Sequence, residues 1–423
     1  QTKIGGFFLN AIIPFKKTPM NIIKRGFEYS PAGLIKTLTW NAYELKTKHI
    51  SVTQFIDNIS SGLTGTAVMM LGYYLFNLGW LDMGPDDDDP DRLKEFYRAI
   101  GVQKYAIKLD GYTYTIDWAV PAVLPLIVGA ETARFMANGD MDRSLMNVLP
   151  DALINMFDPV FELSMLQSLT RTLQSYSGSE TAMVGEAMIS ALESYVGQYI
   201  PTIVGQIART VDPVTRSTYA PKDSDLNPVV ERIGRSLMNK IPFLSQYNEP
   251  WVDVFGQEMT NNDTANWLES AVLNFLSIGY LRSTERTKEE DVVFDLYNDT
   301  LSTTVLPRIA PSSFSVDGGK INLTGEQKTE FAKTMGNLSS TYIKEFGRLA
   351  EYNKLNDEDK EDVVAKIYEY AYQSAKYDIT KNADTWWAKA DGAVEKGNSP
   401  VDYFMAEVVY NKITATDTKT KEY

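Results

Sequence analysis

Cysteine is absent from the 423 residues, so disulfides, thiolate metal sites and cysteine nucleophiles are all excluded, and redox chemistry gives no clue to compartment. Histidine is nearly absent: His49 alone could serve as an imidazole base or ligand, and it sits in the basic run ELKTKHI. One histidine cannot build a two-histidine zinc helix, and a Ser-His-Asp hydrolase would have to use it without a G-x-S-x-G elbow. Neither a P-loop nor a G-x-G-x-x-G turn occurs. These gaps argue against an enzyme, and no cofactor or metal is expected.

Charge is missing where it matters most. From Asn58 to Leu81, NISSGLTGTAVMMLGYYLFNLGWL, twenty-four residues pass without an ionisable Asp, Glu, Lys or Arg. A helix through them is long enough to cross a hydrocarbon core of ~30 Å. Ser60, Ser61, Thr64, Thr66 and Asn77 dilute the stretch, so a helix buried in a protein core or subunit interface competes with one that enters a membrane. Gly62, Gly65 and Gly72 would admit a neighbouring helix closely, while Tyr73, Tyr74 and Trp80 resemble the rings found at membrane interfaces. The candidate membrane-contacting residues are Leu63, Val68, Met69, Leu71, Tyr73, Tyr74, Leu75, Phe76, Trp80 and Leu81.

The formal charge of −14 argues against the whole chain holding duplex DNA, yet residues 1–50 carry a net +6. Lys16, Lys17, Lys24, Arg25 and Lys36 are the candidate contacts for anionic lipid or phosphate. Two amphipathic helices are expected here, one starting at Thr18-Pro19, the other at Ser30-Pro31 with Leu34, Ile35, Leu38 and Ala42 on one face. They suit a membrane surface, or ordinary packing on the 58–81 helix. The opening segment lacks the pattern of a signal peptide, and a first residue of Gln is expected of a piece of a longer polypeptide.

Beyond the acidic turn GPDDDDPD, Asp110-Gly111 between two alternating runs predicts a type I′ hairpin near 105–118. Pro121 and Pro125 discourage a straight helix before Leu126. Helical periodicity dominates from 141 to 195, and residues 211–228 read as an irregular strap. Helices are expected over 228–239 and 264–278. A capping box at Thr324/Gln327 and a cap at Asn356 open two long helices, and 381–413 adds two shorter ones. The fold class is therefore mainly α, a multi-helix globular assembly with one short hairpin. Three consecutive parts are expected: 1–139, with the basic helices, the uncharged span and the hairpin; 140–282, a helical body; and 283–423, a soluble helical domain.

Several strings resemble the C-terminal region of tail tape measure proteins, or related large virion and polyvalent proteins, of phages infecting Gram-positive bacteria. They are IIPFKKTPMNIIKRGFEYSPAGL (12–34), YAIKLDGYTYTIDWAVPAVLPLIVGAE (105–131), DPVFELSMLQSL (158–169), YIPTIVGQIARTVDPVTRSTY (199–219) and NFLSIGYL (274–281). The resemblance implies a virion structural protein, held in the tail lumen or tip and released to the host envelope to help DNA cross. It also implies other tail proteins as partners, homo-oligomerisation within a threefold or sixfold tail, the host membrane, and phage DNA without sequence specificity. The long heptad ruler of that family is missing, so this chain would be the terminal globular or membrane-active portion. A structural assembly module without membrane activity is the rival. A carboxylate-only peptidoglycan-cleaving enzyme is a third reading: Glu193-Ser194 is similar to the Glu-Ser of lytic transglycosylases, although their downstream signatures are absent.

Overall fold

The computed structural model describes residues 27–137 and 202–410, save 87–88, 120–121, 225–227, 264–266, 277–278, 317–318, 383 and 395–398. The helix expected after Thr18-Pro19, the 141–195 run and Glu193 lie outside the described residues.

In chain order the elements are α1 (Pro31–Lys36), a π-helical turn (Thr37–Asn41), α2 (Ala42–Lys46), α3 (Val52–Asn77), β1 (Leu81–Asp82), α4 (Asp91–Ala99), β2 (Ala106–Leu109), β3 (Tyr112–Thr115) and α5 (Leu124–Ala137). After residue 201 come α6 (Thr202–Val211), α7 (Pro228–Met238), α8 (Trp267–Leu276), β4 (Leu281–Ser283), α9 (Lys288–Thr300), β5 (Ser313–Val316) and β6 (Gly319–Asn322). The chain then runs through α10 (Gly325–Phe346), α11 (Asp357–Thr380), α12 (Thr385–Val394) and α13 (Pro400–Met405). The protein is mainly helical with a small antiparallel sheet, as its periodicity predicts.

The chain packs as two units, not as three consecutive parts. Unit one takes the described residues within 1–84, 103–202 and 277–281, and unit two takes those within 85–102, 203–276 and 282–423. Residues 85–102 leave the first part because α4 puts Leu93, Phe96 and Ile100 on one face, and these are buried with the side chains of unit two.

In unit one, α3 starts at Val52, ahead of the uncharged stretch that opens at Asn58, because Ser51 and Gln54 form a capping box. Ser51 Oγ accepts from the Gln54 amide at 3.1 Å and Gln54 Oε1 accepts from the Ser51 amide at 3.0 Å. The helix ends at Asn77, and Gly79, at φ 74°, turns the chain toward β1. Helix α5 begins at Leu124, earlier than Leu126, since a proline in the first helical turn lacks only an amide that has no partner there.

The buried residues of α3 are Gly62, Gly65, Met69 and Gly72. A methyl group at Gly72 would overlap the Leu126 carbonyl, and one at Gly129 would overlap the Met69 carbonyl. Helices α3 and α5 therefore touch backbone to backbone. β1 pairs antiparallel with β2, and β2 pairs with β3 in the register Leu109↔Tyr112. Within the same unit the Thr115 amide donates to the Tyr280 carbonyl at 3.1 Å. The β2–β3 turn is not type I′: Gly111 takes a positive φ of 75°, whereas Asp110 keeps the negative φ usual for an L residue. Leu81, Met83, Tyr105, Ile116, Ile127 and Ala130 form the core beneath the sheet.

Unit two has the ordinary polarity of a water-soluble helical domain. Phe96, Val293, Leu296, Ile343, Phe346, Val364, Ile367 and Phe404 are buried together. Tyr368 is buried with them, donates its hydroxyl to the Val305 carbonyl at 2.8 Å, and has its pKa raised by that burial. The caps expected at Thr324 and Asn356 are both made. Two pairs of short segments bridge the strap after residue 211, Val214 with Thr260 and Arg216 with Pro250. Arg216 grips Asp212 through two hydrogen bonds of 2.9 Å each, and Ser245 adds one of 2.7 Å. Burial opposes ionisation of Asp212, but these bonds and the Arg216 charge outweigh it and hold the carboxyl below its usual pKa. Asp253 goes the other way: its Oδ1 accepts from the Phe255 and Gln257 amides at 2.9 and 2.8 Å, yet desolvation pushes its pKa up to about 6.

Two outcomes are expected. Gly72→Ala should destabilise unit one by about 1–3 kcal/mol and raise amide exchange in α5, whereas Gly234→Ala, with open space around it, should be neutral or stabilising. Asp253 has a folded pKa above its unfolded value, so the folded state holds the extra proton and stability falls as pH rises from about 4 to about 6. Asp253→Asn keeps the turn's acceptor and should remove that fall, of order 1–3 kcal/mol, from urea unfolding followed by the near-UV aromatic signal.

Candidate functional site

The first helical segment and α3 of unit one turn their polarity inside out. In the first helical segment the buried residues are Gly33, Thr37 and Asn41, spaced four apart. Asn41 is within 3.5 Å of Thr37 Oγ1, which donates to the Gly33 carbonyl at 2.9 Å, so the inward polar groups are satisfied locally. The outward face carries Ile35, Leu38, Trp40 and Tyr43, with Trp40 60% exposed. The π-helical turn over Thr37–Asn41 accommodates this reversal by adding a wide turn between the two polar residues. Sequence periodicity groups Leu34, Ile35, Leu38 and Ala42 on one face. Of these, Ile35 and Leu38 are exposed and Leu34 meets Gly62, because the small and polar stripe fits the glycine face of α3 better than the branched one.

Helix α3 follows the same rule. Glycines face inward, while Leu63, Leu71 and Tyr74 lie outward at 55%, 49% and 61% exposure, with Met70, Leu78 and Trp80 also exposed. Among the described residues it is the one helix long and apolar enough to cross a membrane, and 22% of its most apolar window is buried. Of the candidate contacts, Leu63, Leu71, Tyr74 and Trp80 are on this surface, and Val68 and Tyr73 are half-buried at its edge. Tyr73 stands edge-on to Tyr74 with centroids 5.9 Å apart. Leu75 and Phe76 pack partly against the sheet core. Met69 and Leu81 are not on the outward surface: both are buried, Met69 where α5 crosses and Leu81 in the core of the sheet, where β1 pairs with β2.

Of the basic candidates, Lys36 is exposed with its ammonium 5.8 Å from the Phe27 ring centroid. Lys16, Lys17, Lys24 and Arg25 lie outside the described residues. Lys46 and Lys48, which the candidate set omits, are exposed beside Trp40 and Tyr43 in the chain. Trp40, Tyr43, Met70 and Leu78 were missed too, and their signal was present: large apolar residues spaced opposite a small-residue stripe. His49 is exposed and hydrogen-bonded through Nδ1 to Thr47 Oγ1 at 2.8 Å.

Burying charge inside this unit is made tolerable by pairing. Glu131 on α5 is 1% exposed and meets Arg134, one turn later, at 2.8 Å. Arg134 also reaches the Gly84 carbonyl at 3.4 Å.

Unit two offers a recess of about 110 Å³ lined by Tyr219, Trp251, Asp253 and Lys328, among others. Its ring faces are already covered, Trp251 by Arg98 at 5.5 Å and Tyr219 by Lys328 at 4.2 Å. Asp253 Oδ1 is committed to backbone amides. The recess is therefore the weaker candidate. No protein-family model, curated protein or solved structure matches this chain.

The outward leucines contribute contact with solvent and little packing. Replacing Leu63 and Leu71 together by Gln should change unfolding free energy by no more than about 0.5 kcal/mol per site, while lowering the fluorescence of a bound hydrophobic dye.

Proposed function

We propose that this chain is a structural protein of a phage virion, the C-terminal part of a tail tape measure protein, whose first unit engages the host membrane after release and helps DNA across the envelope. The carrying observation is the inverted polarity of the first helical segment and α3. In water, exposing Ile35, Leu38, Trp40, Leu63, Met70, Leu71 and Leu78 while burying Thr37 and Asn41 forfeits hydrophobic free energy. Against lipid tails the exposed apolar side chains cost nothing, and helices there associate through glycine contacts of the kind made at Gly72 and Gly129. The tape measure assignment comes from the sequence resemblance alone.

The reading is non-enzymatic. It places the protein in the tail lumen or tip with other tail proteins, as a homo-oligomer, and then at the envelope. The second reading, an assembly module with no membrane role, is favoured by one observation: α3 covers one face against α5, so another subunit on its other face would complete a core helix.

Vesicle flotation of the full chain separates the two. Binding that survives 0.5 M salt once made, together with release of an entrapped dye, is the expected outcome, because apolar insertion is insensitive to screening. Failure to float with either anionic or neutral vesicles, in protein that is oligomeric by sedimentation, would favour the assembly module.

A further inference from the structure

We infer that unit one enters a bilayer from one side and in one orientation, with the segment from Pro31 to Lys48 at the headgroups of an anionic leaflet and the outer face of α3 from Leu63 to Leu78 in the hydrocarbon. This rests on the membrane reading above and adds to it a lipid class and a direction.

The orientation follows from what flanks α3. Gly62 meets Leu34 and Gly65 meets Tyr29, so the first helical segment lies along the N-terminal half of α3. That segment exposes Lys36, Lys46 and Lys48. Between the lysines it exposes Trp40 and Tyr43, whose ring centroids are 6.3 Å apart. Aromatic rings beside lysines are the chemistry of the interface: the rings sit at headgroup depth and the ammoniums reach phosphates. The sequence reinforces the sign, since the first fifty residues carry a net +6. Asp57 is exposed at this same end of α3 and would stay in water with the lysines.

The other half of α3 leads into the sheet, where Leu75 and Phe76 pack on the core and Asp82 pairs with Lys108 at 3.3 Å. The neighbour of this half is α5, and no Asp, Glu, Lys or Arg occurs from Asn58 to Leu81. Length then decides how far this half goes. The exposed apolar side chains from Leu63 to Leu78, with exposed Thr64 and Asn77 among them, span ~22 Å at ~1.5 Å per residue, and α5, with fourteen residues, measures ~21 Å. Both fall short of the ~30 Å of a hydrocarbon core. With Asp57 exposed at one end of α3 and the Asp82–Lys108 pair at the other, the helix lies along the leaflet with its outer face in the hydrocarbon and does not cross, and Glu131 stays buried against Arg134 as a neutralised pair.

The chain contains no cysteine, so any introduced one is a unique labelling site. Full-length Tyr43→Cys, Leu71→Cys and, as a control in unit two, Tyr247→Cys would each carry a nitroxide. Accessibility to oxygen and to a water-soluble nickel chelate would be compared with and without vesicles of phosphatidylcholine containing 30% phosphatidylglycerol. The expected result is a deep label at 71, a label at phosphate depth at 43, and no change at 247. The triple variant Lys36→Gln, Lys46→Gln, Lys48→Gln should weaken partitioning to the anionic vesicles by about fivefold per lysine and leave pure phosphatidylcholine unaffected.

Equal depths at 43 and 71, the reverse order, or partitioning indifferent to lipid charge would overturn this orientation while leaving membrane binding intact. Absence of binding to both vesicle types would remove the membrane reading itself. Immobilisation of the label at 71 that grows with protein concentration without vesicles would show a second copy covering the face, and would also overturn the inference.

Discussion

The contact on which unit one depends is the backbone approach of α3 to α5 at Gly72 and Gly129. Where the two helices touch through peptide groups there is no room for large side chains, so most of those on α3 lie on its outer face, Met69 excepted, while α5 buries Leu124, Ile127 and Val128 to either side of the contact. The same logic repeats where Gly62 and Gly65 receive the segment around Tyr29 and Leu34. On α3, small residues inside and large apolar residues outside are thus one consequence, not two features. The close approach also leaves Glu131 facing protein rather than water, which is why Arg134 must sit one turn away.

Unit two follows the opposite packing rule. Its aromatic and aliphatic residues are inward, the buried Tyr368 hydroxyl has its carbonyl partner, and its long helices carry caps and charged outer faces. Its strap is held by an ion pair and by the side-chain amide of Asn239, which donates to the Arg216 carbonyl, the devices of a protein built around water. A single chain thus carries two packing rules. That contrast supports a role in which one part meets lipid while the other remains soluble, as a protein released from a particle onto an envelope would require.

Much of the fold was legible where local rules act alone. Ser30, Thr324 and Asn356 cap the helices that they were expected to cap, since capping depends on a few adjacent residues. The Asp110-Gly111 hairpin was legible for the same reason, although the turn type was not. The β5–β6 hairpin escaped notice even though the dipeptide between its strands, Asp317-Gly318, is the one that signals the first. The unit boundary was not legible, because residues 85–102 join their core through long-range burial of Leu93, Phe96 and Ile100. At the candidate surface, absence of charge located the helix whose outer face is apolar. Periodicity misjudged the faces: it assumes that Leu and Ile point inward, and in unit one glycine, threonine and asparagine take that place.

The central claim is that the outward face of unit one is covered by lipid when the protein works. Hydrogen exchange of the full chain, with and without anionic vesicles, tests it most directly, because amides slow wherever water is excluded. The account predicts added protection confined to residues 31–80, where the exposed apolar side chains lie, with the helices of unit two unchanged. Protection centred on α10 and α11, or none in 31–80 when vesicles are bound, would contradict it.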